Sequence, residues 1–229
     1  MTVHPAAPVR GVSPVLAVPF TPDGEVALDD FRRLVRHVLS TGVTSVMFPG
    51  LASEFYKLSE AERVALRDVL LAETTVRTDV AAVISVSDHA THLAARSARA
   101  VVQAGADVVN LLPPHFLGPS ADALAAHIGA VLAAIAPTPV VVQCAPAQTG
   151  TSLDASVIAG IAREHSNLRM VKVESAPPGR FIAALGMQEP PLAAVVGQAG
   201  VQMLDAARRG AVGVQPGCSF SELYVDVWR

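Results

Sequence analysis

The sequence is poor in aromatic residues, cysteines and lysines, and each scarcity limits what the protein can be. Aromatic residues make up 4% of the 229 residues and hydrophobic residues 51%, so the core must be mainly aliphatic. The 2 cysteines, Cys144 and Cys218, are too few for a disulfide framework. A net charge of −3 provides no basic excess for a nucleic-acid backbone, and no apolar run approaches membrane-spanning length. We expect a cytoplasmic protein without nucleic-acid or membrane partners.

Lysine is the most informative of these scarcities. The sequence has 17 lysines and arginines together, and only Lys57 and Lys172 are lysines. Lys172 lies in RMVKVES, residues 169–175, a segment whose neighbouring apolar residues are typical of a buried strand. An amine at such a position requires an explanation.

Short apolar runs recur along the chain, with helical patterns between them. The runs are nearly continuous, which is typical of parallel strands covered on both faces; they span 13–20, 44–50, 79–87, 107–114, 139–146, 168–175, 192–198 and 211–217. Ser59 and Glu62 form a capping box that begins one of the helices. We predict a single α/β domain over residues 1–229, a (β/α)8 barrel that ends within its eighth helix. An open doubly wound sheet is the alternative, but PFTPDGE does not resemble the glycine-rich loop expected after its first strand.

Polar residues at the C-terminal ends of the strands are the candidates for chemistry, because active sites of such barrels lie there. They are Ser53 and Glu54 after the second strand, His115 after the fourth, Gln143 and Cys144 on the fifth, Lys172 and Glu174 on the sixth, Gln198 after the seventh, and Gln215 on the eighth. Strand alternation places Lys172 opposite Val171 and Val173, which predicts that the amine points into the barrel.

An amine in apolar surroundings can act as a nucleophile. Burial lowers the pKa of a lysine from about 10.4 toward neutrality, and the neutral amine can attack a carbonyl carbon to form an imine. Arginine cannot lose its proton and could not replace Lys172 in this role. The alternative is a lysine at a strand end whose amine extends into solvent.

Several segments, in order, resemble the dihydrodipicolinate synthase / N-acetylneuraminate lyase family of class I aldolase-type enzymes. GLASEFYKLSEAER stands where that family has its carboxylate-binding Gly-Thr-Thr-Gly-Glu turn, LLPPHFLGPS resembles its Pro-Tyr-Tyr segment, and PVVVQCAPAQTG resembles its Tyr-Asn-x-Pro-x-x-Thr-Gly segment. NLRMVKVES aligns Lys172 with the Schiff-base lysine. The resemblance runs from Gly11 to the end of the chain. It implies the same barrel, an imine of Lys172 with pyruvate or a related 2-oxo acid, no cofactor, and a homotetramer or homodimer. The family also has a C-terminal helical extension, which we expect to be absent or truncated in this chain.

The sequence departs from this family at positions that bind substrate or carry protons. The replacements are Gln143 for the proton-shuttling tyrosine, His115 and Phe116 for the tyrosines after the fourth strand, Leu51 and Ala52 for the hydroxyl pair of the turn, Ser53 for its second glycine, and Gln148 for the arginine that binds the second substrate in the synthases. Because the lysine is retained and the proton relay is not, these departures argue against classical synthase activity.

Another group must then carry protons, and Glu174 is the best-placed candidate because it lies two residues from Lys172 on the same face. Its charge favours the protonated amine, which opposes nucleophilicity, and the same carboxylate could instead cap the next helix in solvent. We assign Lys172, Glu174 and Gln143 to catalysis. We assign Ala52, Ser53, His115, Gln198 and Gln215 to substrate binding, although the glutamines could equally be ordinary rim residues.

The leading hypothesis is a Schiff-base lyase or aldolase acting on pyruvate or a related 2-oxo acid. A dehydratase of a sugar-derived 2-oxo acid using the same imine is the first alternative. A catalytically degenerate barrel that binds a small carbonyl compound or carboxylate is the second. His89 and His92 have helical spacing but lack a third ligand in the sequence, so no metal is expected.

Overall fold

The apolar runs form one sheet of eight parallel strands, in which the strands from the second to the eighth pair consecutively along the chain and the first pairs with the eighth. The computed structural model describes residues 8–229 and confirms the predicted (β/α)8 barrel; residues 1–7 of the predicted domain lie outside the described residues. The strands are β1 (Gly11–Val12), β2 (Ser45–Phe48), β3 (Ala81–Val86), β4 (Val108–Leu111), β5 (Val140–Cys144), β6 (Leu168–Val173), β7 (Ala193–Val196) and β8 (Ala211–Val214). The α-helices are α1 (Leu28–Ser40), α2 (Glu60–Thr74), α3 (Thr91–Gln103), α4 (Ala121–Ile135), α5 (Pro146–Thr149), α6 (Ala155–Glu164), α7 (Gly179–Gly186), α8 (Met203–Arg208) and α9 (Ser221–Trp228).

The first strand differs from its prediction. The sequence predicts it over 13–20, but β1 covers only Gly11–Val12, and the prolines that follow lack the N–H groups of a regular ladder. The segment after β1 nevertheless closes the barrel against β2. The backbone N–H of Leu16 donates to the carbonyl of Met47 at 3.0 Å, and the N–H of Met47 donates to the carbonyl of Pro14 at 2.9 Å.

The barrel has two apolar regions because side chains alternate along each strand. Val171 and Val173 of β6 belong to the outer core between the sheet and the helices. Met170 belongs to an inner cluster that fills the lower lumen, with Val9, Val15, Met47, Val83, Val108, Val141, Ala193 and Val195. The lumen is therefore packed below the level of Lys172, and any chemistry is confined to its C-terminal end.

The helices begin and end largely where local signals place them. The predicted capping box of α2 is present: the N–H of Ser59 donates to Glu62 Oε2 at 2.7 Å, and the N–H of Glu62 donates to Ser59 Oγ at 3.3 Å. The helix predicted as the eighth is α9, because the short α5 adds one to the count. Within residues 8–229, none of the helices combines the length and the apolar character needed to cross a membrane.

Candidate active site

The amine of Lys172 lies inside the barrel. The residue is 2% exposed, and its Nζ lies 3.8 Å from Met47 Sδ and 3.6 Å from Glu174 Oε1. Burial lowers the pKa of Lys172 from its ordinary value, and the nearby Glu174 carboxylate opposes that shift only in part. The side chain thus has the two properties that an imine-forming lysine needs, which are a position shielded from solvent and a lowered pKa.

Glu174 follows β6 directly and lies above the amine, toward the mouth of the barrel. It is 7% exposed, so its carboxylate does not extend into solvent as a helix cap. Gln143 Nε2 donates to Glu174 Oε2 at 2.6 Å, and the backbone N–H of Gln198 donates to Glu174 Oε1 at 3.2 Å. The side chain of Gln198 in turn donates to the Glu174 backbone carbonyl at 2.7 Å. These contacts fix the carboxylate beside Lys172.

Gly197 makes room for this carboxylate. A Cβ atom at position 197 would lie 2.3 Å from Glu174 Oε1 and 2.4 Å from its Cγ, distances that real Cβ atoms do not show. The absence of a side chain at Gly197 therefore determines where Glu174 can lie, and sequence patterns gave no reason to single this glycine out.

Asn110 is a second residue that the sequence reasoning missed, although a polar residue within the apolar run DVVNLL was a visible signal. It lies on β4 and is 1% exposed. Its Nδ2 donates to Gln143 Oε1 at 2.9 Å and to Ser85 Oγ at 3.1 Å. A continuous chain of hydrogen bonds thus runs from β3 through Asn110 and Gln143 to Glu174.

Gln215 completes the polar layer on the opposite side of the lumen. Its Nε2 donates to Ser13 Oγ at 3.1 Å, and both residues are buried. Gln215 Oε1 and Asn110 Oδ1 are buried acceptors without a hydrogen-bond partner among the described residues. An unpaired buried acceptor costs about 1–3 kcal/mol, and both of these oxygens are free to accept a hydrogen bond.

Three other predicted residues do not join this group. Ser53 is buried, and its hydroxyl accepts from the Gly50 N–H at 2.9 Å and donates to the Leu16 carbonyl, so it holds the turn after β2. Ala52 of that turn is exposed. His115 lies over His89, with 4.5 Å between ring centroids, in a cavity of about 560 Å³ that is lined by residues of α3, α4 and the loop after β4.

Cys144 does not have the properties of a nucleophile. Burial and the charge of Glu174 raise the pKa of its thiol to about 12, so the thiolate is scarce at neutral pH. Its side chain contributes to the outer core instead.

Comparison with known proteins identifies the family. The model of the dihydrodipicolinate synthetase family matches residues 8–218. The chain belongs to the dihydrodipicolinate synthetase family. This confirms the resemblance seen in the sequence. Among curated family members, the 4-hydroxy-tetrahydrodipicolinate synthase of Xanthomonas campestris pv. campestris is 30% identical over 208 residues, which is 90% of this chain and 68% of that protein. The enzyme of the same name from Sorangium cellulosum is 33% identical over 167 residues, 72% of this chain and 54% of that protein.

Solved structures of the family agree with the barrel. Dihydrodipicolinate synthase from Rhodopseudomonas palustris has a TM-score of 0.86 and 25% identity, covering 99% of this chain and 76% of its own. A prophage protein of the family from E. coli K12, solved in complex with pyruvate, has a TM-score of 0.84 and 22% identity, covering 95% of this chain and 74% of its own. The chain thus spans from about half to three quarters of these relatives' lengths.

Proposed function

We propose that the protein is a class I lyase that forms an imine between Lys172 and pyruvate or a related 2-oxo acid. The observation that carries this proposal is the position of the Lys172 amine, buried in the lumen with a lowered pKa and 3.6 Å from a buried carboxylate. Family membership and the pyruvate complex of the E. coli relative support the substrate class.

The first half of the reaction makes the imine. The neutral amine of Lys172 attacks the ketone carbon of the 2-oxo acid, and loss of water together with uptake of one proton from solvent leaves a protonated imine. The positive nitrogen withdraws electrons from the adjacent C–H bonds. The Glu174 carboxylate then takes a proton from the carbon next to the imine, the C–H electron pair becomes the C=C bond of an enamine, and the imine π pair moves to nitrogen.

The second half forms or breaks a carbon–carbon bond. In the synthetic direction the enamine carbon attacks the carbonyl carbon of an aldehyde partner, whose oxygen takes the proton that Glu174 holds. In the lytic direction Glu174 takes the hydroxyl proton of the substrate, the carbon–carbon bond breaks, the partner leaves as an aldehyde, and Glu174 gives that proton to the enamine carbon. Water then releases the 2-oxo acid and restores the amine. Gln143 donates a hydrogen bond to Glu174 throughout and carries no proton itself, since its amide does not titrate.

Borohydride trapping tests the imine, and the result is easy to assign because the chain has two lysines. Reduction in the presence of pyruvate should add one pyruvate-derived mass to the protein, and Lys172→Arg should abolish the adduct. Lys57→Arg is the matched control, because Lys57 is the only other lysine and its amine is exposed. Absence of an adduct with pyruvate and with a panel of other 2-oxo acids would remove the imine from consideration.

A second candidate function is binding of a 2-oxo acid without turnover. It is favoured by the turn after β2, where Ala52 has no hydroxyl and the Ser53 hydroxyl is engaged within the protein. Exchange of the pyruvate methyl protons in D2O separates the two functions. A lyase exchanges them through the enamine, whereas a binder forms the adduct without exchange.

A further inference from the structure

Hydrogen bonds link Asn110 to Gln143 and Gln143 to Glu174, and the donor and acceptor of each bond are determined. An ionised carboxylate only accepts hydrogen bonds, so the amide NH2 of Gln143 must face Glu174 at 2.6 Å. The Gln143 carbonyl therefore faces Asn110, which must present its own NH2 at 2.9 Å. Each amide orientation follows from the next one along the chain.

We infer that Asn110 is a positioning residue for proton transfer at Glu174. By holding the Gln143 carbonyl, Asn110 keeps the Gln143 NH2 on the carboxylate. That donor orients the carboxylate of Glu174 and holds it 3.6 Å from the Lys172 amine. Asn110 does not touch the amine and acts only through Gln143. The inference rests on the proposed imine chemistry and adds a residue with no other assigned role.

The surroundings of Glu174 leave Gln143 as its main side-chain donor. Besides the Lys172 amine, the titratable group that lies close enough to be affected by the Glu174 charge is the buried Cys144 thiol. The other hydrogen bond to the Glu174 carboxylate comes from the backbone N–H of Gln198 at 3.2 Å, and it is longer than the bond from Gln143. Reversal of the Gln143 amide would therefore replace the shortest donor of the carboxylate with a carbonyl oxygen.

Asn110→Asp tests the inference by reversing the polarity of the chain with little change in shape. An ionised aspartate accepts but does not donate, so Gln143 turns its NH2 toward position 110 and its carbonyl toward Glu174. We expect the borohydride adduct at Lys172 to form as in the wild type. Exchange of the pyruvate methyl protons in D2O should fall about 10- to 100-fold, up to the low end of the roughly 100- to 10,000-fold that a general base contributes.

Asn167→Asp is the matched control. Asn167 is equally buried, and its Nδ2 donates to the carbonyls of Leu132 at 3.0 Å and Thr138 at 3.2 Å at the opposite end of the barrel. Loss of a buried amide donor there should lower thermal stability without changing the exchange rate per adduct.

The outcomes separate this inference from the proposed function. A wild-type protein without adduct or exchange would overturn the function itself. A wild type that exchanges and an Asn110→Asp variant with the same exchange rate per adduct would overturn only the role of Asn110. Where Asn110→Asp does not fold, Asn110→Leu decides, since it removes the donor without adding a charge. A several-fold slower exchange with an intact adduct supports the inference, and an unchanged rate contradicts it.

Discussion

Gly197 lies so close to Glu174 that the carboxylate fits only because Gly197 has no side chain. A methyl group on Gly197 would lie 2.3 Å from Glu174 Oε1, and the hydrogen bonds of that carboxylate to Gln143 and to the Gln198 N–H leave it little freedom to retreat. The absence of a side chain at Gly197, after β7, thus helps to determine the position of the Glu174 carboxylate, after β6.

Gly197→Ala should therefore displace Glu174 while leaving Lys172 in place. We expect the pyruvate adduct to persist and methyl-proton exchange to fall at least 10-fold, with a loss of about 1–3 kcal/mol of stability from overpacking. Gly186→Ala at the end of α7 is the control, because an added Cβ there meets no atom within 4 Å. Wild-type exchange in Gly197→Ala would mean that Glu174 does not carry the proton.

Glu174→Gln should make Lys172 easier to deprotonate. Burial lowers the pKa of Lys172 and the Glu174 charge opposes this, so removing the charge lowers the pKa further. The neutral amine then persists to lower pH, and the midpoint of adduct formation should shift to lower pH. Turnover and methyl-proton exchange should fall despite the better nucleophile. The adduct yield as a function of pH checks the shift; a midpoint that moves upward or stays fixed would contradict the coupling.

The sequence predicted the barrel and the direction of Lys172 because both follow from short-range patterns. Alternation along β6 requires Lys172 to face inward once Val171 and Val173 face the helices. The environment of Glu174 could not be predicted in the same way. Asn110 reaches Gln143 across 33 residues of chain, and the role of Gly197 depends on a side chain contributed by a neighbouring strand.

His115 and Ser53 show where prediction from the sequence stops. Both follow strands at the correct end of the barrel, which is all that the sequence could establish. His115 packs on His89 in a cavity beside α3 and α4, and Ser53 uses its hydroxyl within its own turn. Position along the chain identified the correct edge of the sheet, but only three-dimensional contacts decide which side chains share the lumen.

Ser53→Ala distinguishes a structural hydroxyl from a substrate-binding one. The variant leaves the Gly50 N–H and the Leu16 carbonyl without their partner, which should cost about 1–3 kcal/mol of unfolding free energy. The affinity of the folded variant for pyruvate should stay within about twofold of the wild type. Urea unfolding and titration of adduct formation measure the two quantities, with the exposed Ser156→Ala as the control. A large loss of affinity with unchanged stability would return Ser53 to the binding site.

Removal of Lys172 tests whether the protein keeps its amine for stability or for chemistry. Lys172→Met deprives Glu174 of the only cation within 4 Å of it in the described part of the chain, and breaking a buried pair in this way costs about 3–5 kcal/mol. Lys172→Met/Glu174→Gln removes both charges and should recover most of that loss, or exceed the wild type, because the cost of burying charge disappears.

Lys57→Met, which breaks an exposed pair with Glu54, should change stability by about 0–1 kcal/mol. Urea midpoints at neutral pH provide the comparison. A double variant that is as stable as the wild type and forms no adduct would show that an apolar pair suits the fold and that the amine serves the reaction. A double variant less stable than Lys172→Met alone would instead make the pair a structural element of the barrel.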